Sequence, residues 1–500
     1  MRRYFPNLDQ FLETIPTADI VPVYRQLLAD RLTPVSAFQV LGRDPHAFLL
    51  ESVVGGEQVA RYSFIATAPS KVYQVAQGNA AILTPRHADE FKTADPLGDL
   101  AKLLPARKYH RDPGLPAFTG GLVGFAGYDT IRYYEGEKLT HPPADDRRLP
   151  DVLFGLYGEL VIFDHVDKTI KVVANAEIPE SAGTEAIEGA YRDACHRIDA
   201  LVGRLQQPPL SSLGEIDARG AVTLQYASNF TRKQFEDAVR KGQEYIRAGD
   251  IFQFVPSQRL RVPSSANPFD VYRALRIINP SPFMFYLKCP SCTLIGASPE
   301  ILCRVQDGVV TSRPLAGTRR RGHTDAEDQL LEKELLSDAK ERAEHIMLVD
   351  LHRNDVGRVA KVGSVVVSDM MSVERYSHVM HITSNVTGVL AEGLNAMDAL
   401  RVSLPVGTVS GAPKIRAMQI IDEVEPTRRG PYGGAVGYLD FAGNLDTCIA
   451  LRTIVWKNGV YDVQAGAGIV ADSVPSSEFE ETLDKAKAML KAVEIAQAGF

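Results

Sequence analysis

Three stretches carry residues whose types and spacing could do chemistry. The first is Ala343-Glu-His-Ile-Met-Leu-Val-Asp-Leu-His-Arg-Asn-Asp-Val-Gly357, where Glu344 and His345 open an apolar helix end that closes on Asp350, Arg353, Asn354 and Asp355. So many polar groups beside an apolar core point to a buried hydrogen-bond network or a site; a cap and ion-pair cluster ending a helix reads equally well. The second runs from Gln464 to Glu481. Its glycines, in Gly466-Ala467-Gly468, let backbone N–H groups approach a ligand closely, and Glu478 and Glu481 share a helix face three residues apart. A hard cation such as Mg²⁺ takes few carboxylates together with water and substrate oxygens. Glu344 and Glu481 would supply them if the fold brings them together; read locally, Glu481 simply pairs with Lys485 four residues on. The third, Pro405-Val-Gly-Thr-Val-Ser-Gly-Ala-Pro-Lys414, can bind an anion through backbone amides and Lys414, although its lysine is misplaced for a Walker loop. Arg452 lies in an apolar strand and needs a partner, which a substrate carboxylate would provide in a bidentate pair. Arg313 and Arg319-Arg-Arg321 read as solvated charges. Gly466-Ala-Gly468-Ile-Val-Ala471 matches a relaxed dinucleotide fingerprint weakly, because Pro475 follows and no βαβ unit surrounds it.

The elements that must position these groups are mixed. Thr231 to Ala248 carries Phe235, Ala238, Val239 and Ile246 at helical spacing. Thr324 with Glu327, and Ser477 with Glu480, form capping-box patterns, the second before a seam of Phe479, Leu483, Ala486 and Leu490. A further helix is expected near residues 181–205, and another from about Pro413. Strand-like segments lie at 48–54, 152–163, 249–261, 293–304, 433–441 and 451–456. The polar, Pro/Ser-rich segment 204–224 reads as a linker between residues 1–203 and 225–500. The pattern predicts an α+β protein whose antiparallel sheets support helices.

At 500 residues the chain is too long for one ordinary core. Its net charge of −7 argues against nucleic acid as a partner. No run approaches the roughly 18 apolar residues of a membrane span, and the first twenty residues lack the apolar core of a secretory signal. Five cysteines, odd in number and sparse, read as free thiols in a reducing cytoplasm. Cys289-Pro-Ser-Cys292 has metal-knuckle spacing but lacks a set of about four ligands, so a strand-to-strand turn is the expectation.

Taken together, the motifs resemble the chorismate-utilising enzymes, and the anthranilate synthase component I type most closely. The resemblance rests on an ordered series: Gly249-Asp-Ile-Phe-Gln-Phe-Val-Pro256, Asn279-Pro-Ser-Pro-Phe-Met284, Gly296-Ala-Ser-Pro-Glu300, Arg313-Pro-Leu-Ala-Gly-Thr318, the run from Glu344 to Asp355, Tyr376-Ser-His-Val-Met-His381, the Gly407 to Lys414 loop, Tyr432-Gly-Gly434 and Gly466 to Glu481. It implies two packed antiparallel sheets flanked by helices, with the site between them. It also implies Mg²⁺ on Glu344 and Glu481, and chorismate held by Gly317, Thr318, Tyr432, Arg452 and the backbone of Gly466, Ala467 and Gly468. Glu300 would be the general acid for the departing hydroxyl, His381 would assist loss of pyruvate, and Thr408 would also be catalytic.

The same resemblance assigns residues 1–203 a regulatory role. Leu49-Leu-Glu-Ser52 and Pro282-Phe283-Met284 resemble segments that bind tryptophan as feedback inhibitor; alternatively, these residues are core in any fold. Aminodeoxychorismate synthase has a lysine where Ala316 stands, and isochorismate and salicylate synthases have one where Gln253 stands. Those two positions point to ammonia as nucleophile. The resemblance therefore implies a glutamine amidotransferase partner subunit, in a heterotetramer. The alternatives are aminodeoxychorismate synthase component I and a non-catalytic binding module on the same fold.

Overall fold

The computed structural model describes residues 3–28, 30–52, 61–104, 107–208, 214–218, 220–375 and 379–499. Two large antiparallel sheets dominate them. One runs, in spatial order, Ile20–Leu28, Thr169–Glu177, Glu159–Asp164, Tyr62–Thr67, Ala47–Glu51, Phe283–Cys289, Cys292–Ser298, Thr453–Lys457, Val460–Gly466, Ser257–Pro263 and Ala227–Ser228. The other runs Leu315–Arg320, Val379–Val389, Val309–Ser312, Ile301–Gln306, Leu445–Ile449, Ala435–Asp440, Gly121–Ala126, Val152–Tyr157, Lys71–Ala76, Asn79–Leu83 and Ala88–Lys92, with Val366–Arg375 also paired to Val379–Val389. Each sheet takes strands from both sides of the 204–224 segment. Ala47–Glu51, for example, pairs with Phe283–Cys289.

Side-chain alternation decides which core each residue joins. Phe48, Leu160, Ile162, Phe285, Leu287 and Leu294 of the first sheet meet Val123, Phe125, Leu153, Tyr157 and Val436 of the second, forming the layer between the sheets. Phe48 and Tyr157 meet edge to face. The intervening residues Leu49, Val161 and Phe163 face outward, under the helices Pro34–Leu41, Thr184–Leu205, Pro268–Ile278 and Pro475–Ala498. On the far side, Leu122 and Ala126 pack with residues of Ala339–Gly357 and Ala396–Ser403. The α+β architecture expected from the sequence is the one observed.

Several local expectations change. The segment 293–304 is two strands in different sheets, because Pro299 and Glu300 carry the chain across from one to the other. Residues 445–457 cross back through Ala450, Leu451 and Arg452. Helix Arg232–Arg247 fills the expected span, with Thr231 as its cap, reciprocated by Gln234. Helix Pro475–Ala498 does not use the Ser477–Glu480 box: it starts at Pro475, whose fixed φ and missing N–H suit a first helical position, and Val474 caps it without a side-chain bond. Cys289 and Cys292 face each other across the hairpin turn at 3.8 Å between sulfurs, and the five cysteines are free thiols. No described helix is long and apolar enough to cross a membrane.

Candidate active site

The two chain crossings between the sheets run side by side, and each carries an ionisable residue. Glu300 sits on one, fully enclosed. Thr408, on the short helix Gly407–Val409, donates its hydroxyl to Glu300 Oε1 at 3.0 Å, and the Leu315 N–H also reaches this carboxyl. Burial outweighs both bonds and pushes the carboxyl up to about 8, so it is an acid at neutral pH.

Arg452 sits on the other crossing. Its φ is +46°, a left-handed conformation costly for a side chain with a Cβ. Burial pulls its guanidinium below the ordinary arginine value. Its side chain makes no hydrogen bond or ion pair among the described residues. A desolvated guanidinium with no partner among the described residues is suited to an anionic ligand.

His381 stands close enough to feel Arg452. It is in ladder register with Thr318, across a bulge that places Gly317 in the left-handed region at φ +68°. The bulge turns the Gly317 carbonyl to His381 Nδ1 at 3.0 Å, with Thr318 Oγ1 also at 3.0 Å. A carbonyl can only accept, so Nδ1 carries the proton and Nε2 the lone pair. Burial lowers the imidazole's pKa, which favours that neutral form. Ala316, on the same strand, is buried.

Tyr432 is buried, and its phenol is pushed up to about 12 by desolvation, against the Gly466 N–H that donates to it. The Ala467 N–H bonds the Pro256 carbonyl at 3.2 Å, so two of the three backbone amides expected to face substrate are engaged within the chain. A Cβ on Gly468 would lie 2.7 Å from Gln253 Nε2; glycine there lets the glutamine seat. Gln253 Nε2 approaches Glu344 Oε1 at 3.4 Å, while its Oε1 is buried with no partner among the described residues.

Glu344 is held above the usual carboxylate range by burial and by Glu341. Glu478 is raised by burial and by Glu481. Lys485 acts on both: its ammonium lies 2.7 Å from Glu481 Oε1 and donates to the Gly466 carbonyl at 3.0 Å. The helical pair Glu481–Lys485 is thus formed, and Glu344, Glu478 and Glu481 lie around one lysine. Among the described residues no three metal-ligating side chains are already gathered for an ion. The donor set nevertheless suits a hard cation: Glu344 is a desolvated carboxylate raised by its own kind, a state that a divalent ion relieves.

Other expectations resolve differently. Lys414 is not open to an anion. It donates to Asp355 Oδ2 at 2.9 Å and to the Val402 carbonyl, tying the helix Ala339–Gly357 to Lys414–Val424. Arg313 pairs with Glu374, and Arg319, Arg320 and Arg321 pair with Glu334, Asp338, Glu341, Glu327 and Asp328; these partly exposed arginines are ion-paired surface charges. In the motif ending at His381, residues 376–378 lie outside those described.

One supporting pair escapes sequence reading. Arg429 and Glu425 are both buried and bonded to each other. Glu425 Oε1 also accepts from the backbone and hydroxyl of Ser257, and Arg429 donates to the carbonyls of Val409 and Val255 at 2.6 Å each. This pair ties the Thr408 loop to the Gln253 segment. In sequence it looks like an ordinary helix-end pair four residues apart.

The Ser52 region is separate. Glu51 is buried, accepting from Tyr272 Oη at 2.5 Å and from Arg276 at 3.0 Å, and it pairs across the ladder with Met284. Ser52 Oγ, next in sequence, and Asn279 Nδ2, at the end of the helix Pro268–Ile278 that carries Tyr272 and Arg276, are buried with no partner among the described residues. Pro282 and Phe283 are half-buried next to them.

Residues 46–491 match the family described as chorismate binding enzyme. Anthranilate synthase component 1 of Acetivibrio thermocellus is 47% identical over 497 residues, covering 98% of this chain and 99% of that protein. The same component of Pseudomonas aeruginosa is 48% identical over 494 residues, with 98% and 99% covered. The crystal structure of anthranilate synthase component I from Streptococcus pneumoniae superposes with a TM-score of 0.75 at 38% identity, over 93% of this chain and 99% of that one. The menaquinone-specific isochorismate synthase of Escherichia coli, at 18% identity and a TM-score of 0.70, shares the fold. The chain therefore belongs to the chorismate binding enzymes and, within them, to the anthranilate synthase component 1 family.

Proposed function

We propose that this chain converts chorismate and ammonia to anthranilate and pyruvate, as the first committed step of tryptophan biosynthesis. The observation that carries the reading is Arg452, a half-buried, desolvated guanidinium on a strained backbone with no partner among the described residues. A substrate carboxylate completes it. Around it, Glu300 holds a proton at neutral pH and gives it to the departing hydroxyl, which would otherwise leave as hydroxide. Neutral His381, with its lone pair on Nε2, takes the proton whose loss accompanies release of pyruvate. Tyr432, Gly317 and Thr318 orient the substrate. Gln253 and Ala316 provide no amine to activate water or form an adduct, and the buried Gln253 Oε1 can accept an N–H of ammonia. Glu344 and Glu481 would hold Mg²⁺, which would offset substrate charge and hold its ring carboxylate.

Ammonia is delivered by a glutamine amidotransferase subunit, with which the chain forms a heterotetramer in the cytoplasm. Residues 1–203 serve regulation and 225–500 catalysis. Ser52 Oγ, buried with no partner among the described residues and one residue beyond Glu51, the ladder partner of Met284, supports a tryptophan site there. Product analysis tests the whole reading. The isolated chain with chorismate, Mg²⁺ and ammonium should yield fluorescent anthranilate. With glutamine alone it should yield none. Isochorismate, salicylate or aminodeoxychorismate as product would overturn it.

A further inference from the structure

The crossing that carries Glu300 and the crossing that carries Arg452 are bolted together at one side chain. Ser298, fully buried, ends the strand Cys292–Ser298 two residues before Glu300. Its hydroxyl donates to the Ile449 carbonyl at 2.6 Å, a short contact for O–H···O. The same oxygen lies 3.4 Å from the Glu300 N–H. The backbone closes the link on both sides: the Ile449 N–H bonds the Glu300 carbonyl at 3.0 Å, and the Ala297 N–H bonds the Arg452 carbonyl at 3.2 Å. Across the hairpin ladder the partner of Ser298 is Phe283, and that of Ala297 is Met284. Met284 in turn pairs with Glu51. The segment beside Ser52 is therefore one hydrogen-bonded strand away from the bolt.

We propose that Ser298 is a positioning residue that fixes the acid and the substrate-binding arginine relative to each other, and that inhibitor binding at the 282–284 segment acts on catalysis by shifting this junction. The second half rests on the reading of that segment as a tryptophan site. Ser298 touches neither ligand. It acts through Glu300, whose acid function needs a carboxyl aimed to within a fraction of an ångström, and through Arg452, whose strained backbone persists only while its neighbours hold it. Removing the hydroxyl deletes this side-chain bond between the crossings and leaves the Ile449 carbonyl with the Leu451 N–H alone on that side. The backbone bonds remain, so chorismate still binds while the acid loses its aim.

The test compares the full chain with Ser298→Ala, measuring kcat and KM for chorismate with ammonium, with and without tryptophan, and tryptophan binding alone by calorimetry. The variant should lose about tenfold or more in kcat with KM little changed, a split that a merely structural loss would not produce. It should bind tryptophan as wild type does, yet respond to it several-fold less. Ser298→Cys, similar in size with a weaker donor, should fall between the two and guards against misfolding of the alanine variant. Wild-type kcat together with unchanged tryptophan response in a folded variant would overturn the proposal. Wild-type chain that binds no tryptophan would overturn its regulatory half and the tryptophan site with it, while the kcat loss would still decide the positioning half.

Discussion

Replacing Glu300 by Gln removes the acid and keeps its shape, and the structure sets opposite signs for activity and stability. Burial lifts this carboxyl from 4.5 to about 8 in the folded chain; in the unfolded chain it titrates at its ordinary value. Below pH 4.5 both states hold the proton, and the wild-type fold carries no penalty. Between pH 4.5 and about 8 the folded chain keeps a proton that the unfolded chain has released. Stability therefore falls as pH rises, by about 1.4 kcal/mol per pH unit. The loss is about 3 kcal/mol at pH 7 and levels off near 5 kcal/mol above pH 8, as orders of magnitude. Gln never ionises and escapes it, and its amide oxygen can still accept from Thr408.

Denaturant midpoints of wild type and Glu300→Gln at pH 5 and pH 8, read by emission of Trp456, measure the difference. Trp456 is the chain's one tryptophan and lies half-buried against the core under the outer helices. The two proteins should be within about 1 kcal/mol at pH 5, and the variant ahead by several kcal/mol at pH 8. Its anthranilate formation should fall by roughly 10²- to 10⁴-fold. Midpoints that stay parallel at both pH values would refute the raised carboxyl, and a variant keeping most of its kcat would refute the acid.

Three further outcomes follow from neighbouring geometry. Arg452→Gln should cost about 2–3 kcal/mol in kcat/KM for chorismate, through lost charge-assisted hydrogen bonds, without lowering the denaturation midpoint; a clear drop in stability would mean the guanidinium has a structural partner. Glu344→Gln and Glu481→Gln should each raise the Mg²⁺ concentration for half-maximal activity by tenfold or more, as orders of magnitude, with circular dichroism unchanged; near-normal activity of Glu481→Gln at low Mg²⁺ would remove it from the ligand set. Ser52→Phe should abolish a tryptophan effect of about 1–3 kcal/mol at unchanged basal rate, and unaltered tryptophan sensitivity would place the inhibitor elsewhere.

Motifs whose chemistry is local were legible in the chain. The helix around Phe235 and the Thr324 cap could be read from spacing, while the candidate site residues came from an ordered series of motifs. What could not be read depends on long-range register. Ala47–Glu51 enters a ladder with a strand more than 230 residues away, and nothing in its composition selects that partner. Lys414 looked open to an anion because the carboxylate that neutralises it, Asp355, lies on another helix. The Glu425–Arg429 pair and the Ser298 bond are ordinary residue types whose importance comes only from where two crossings meet. Pro475 was a stronger helix start than the Ser477 box, since a proline fits the first turn without losing a bond.

Several titratable groups of the candidate site are held away from the protonation state or the solvation they would have in water. Glu300 is neutral where a free carboxyl ionises, Arg452 keeps a charge stripped of its hydration, and Glu344 is desolvated beside another carboxylate. These departures cost stability, and the surrounding fold supplies it: the buried Glu425–Arg429 pair, the closed Thr408 loop and the layer of large apolar side chains between the sheets hold the crossings rigid. A dianion entering this site meets positive charge at Arg452 and a proton donor at Glu300, so binding relieves the costs that folding left open. That relief need not be equal in the ground and transition states. If Glu300 is the acid proposed above, its proton becomes useful only as the hydroxyl begins to leave, and its raised pKa then serves catalysis rather than affinity.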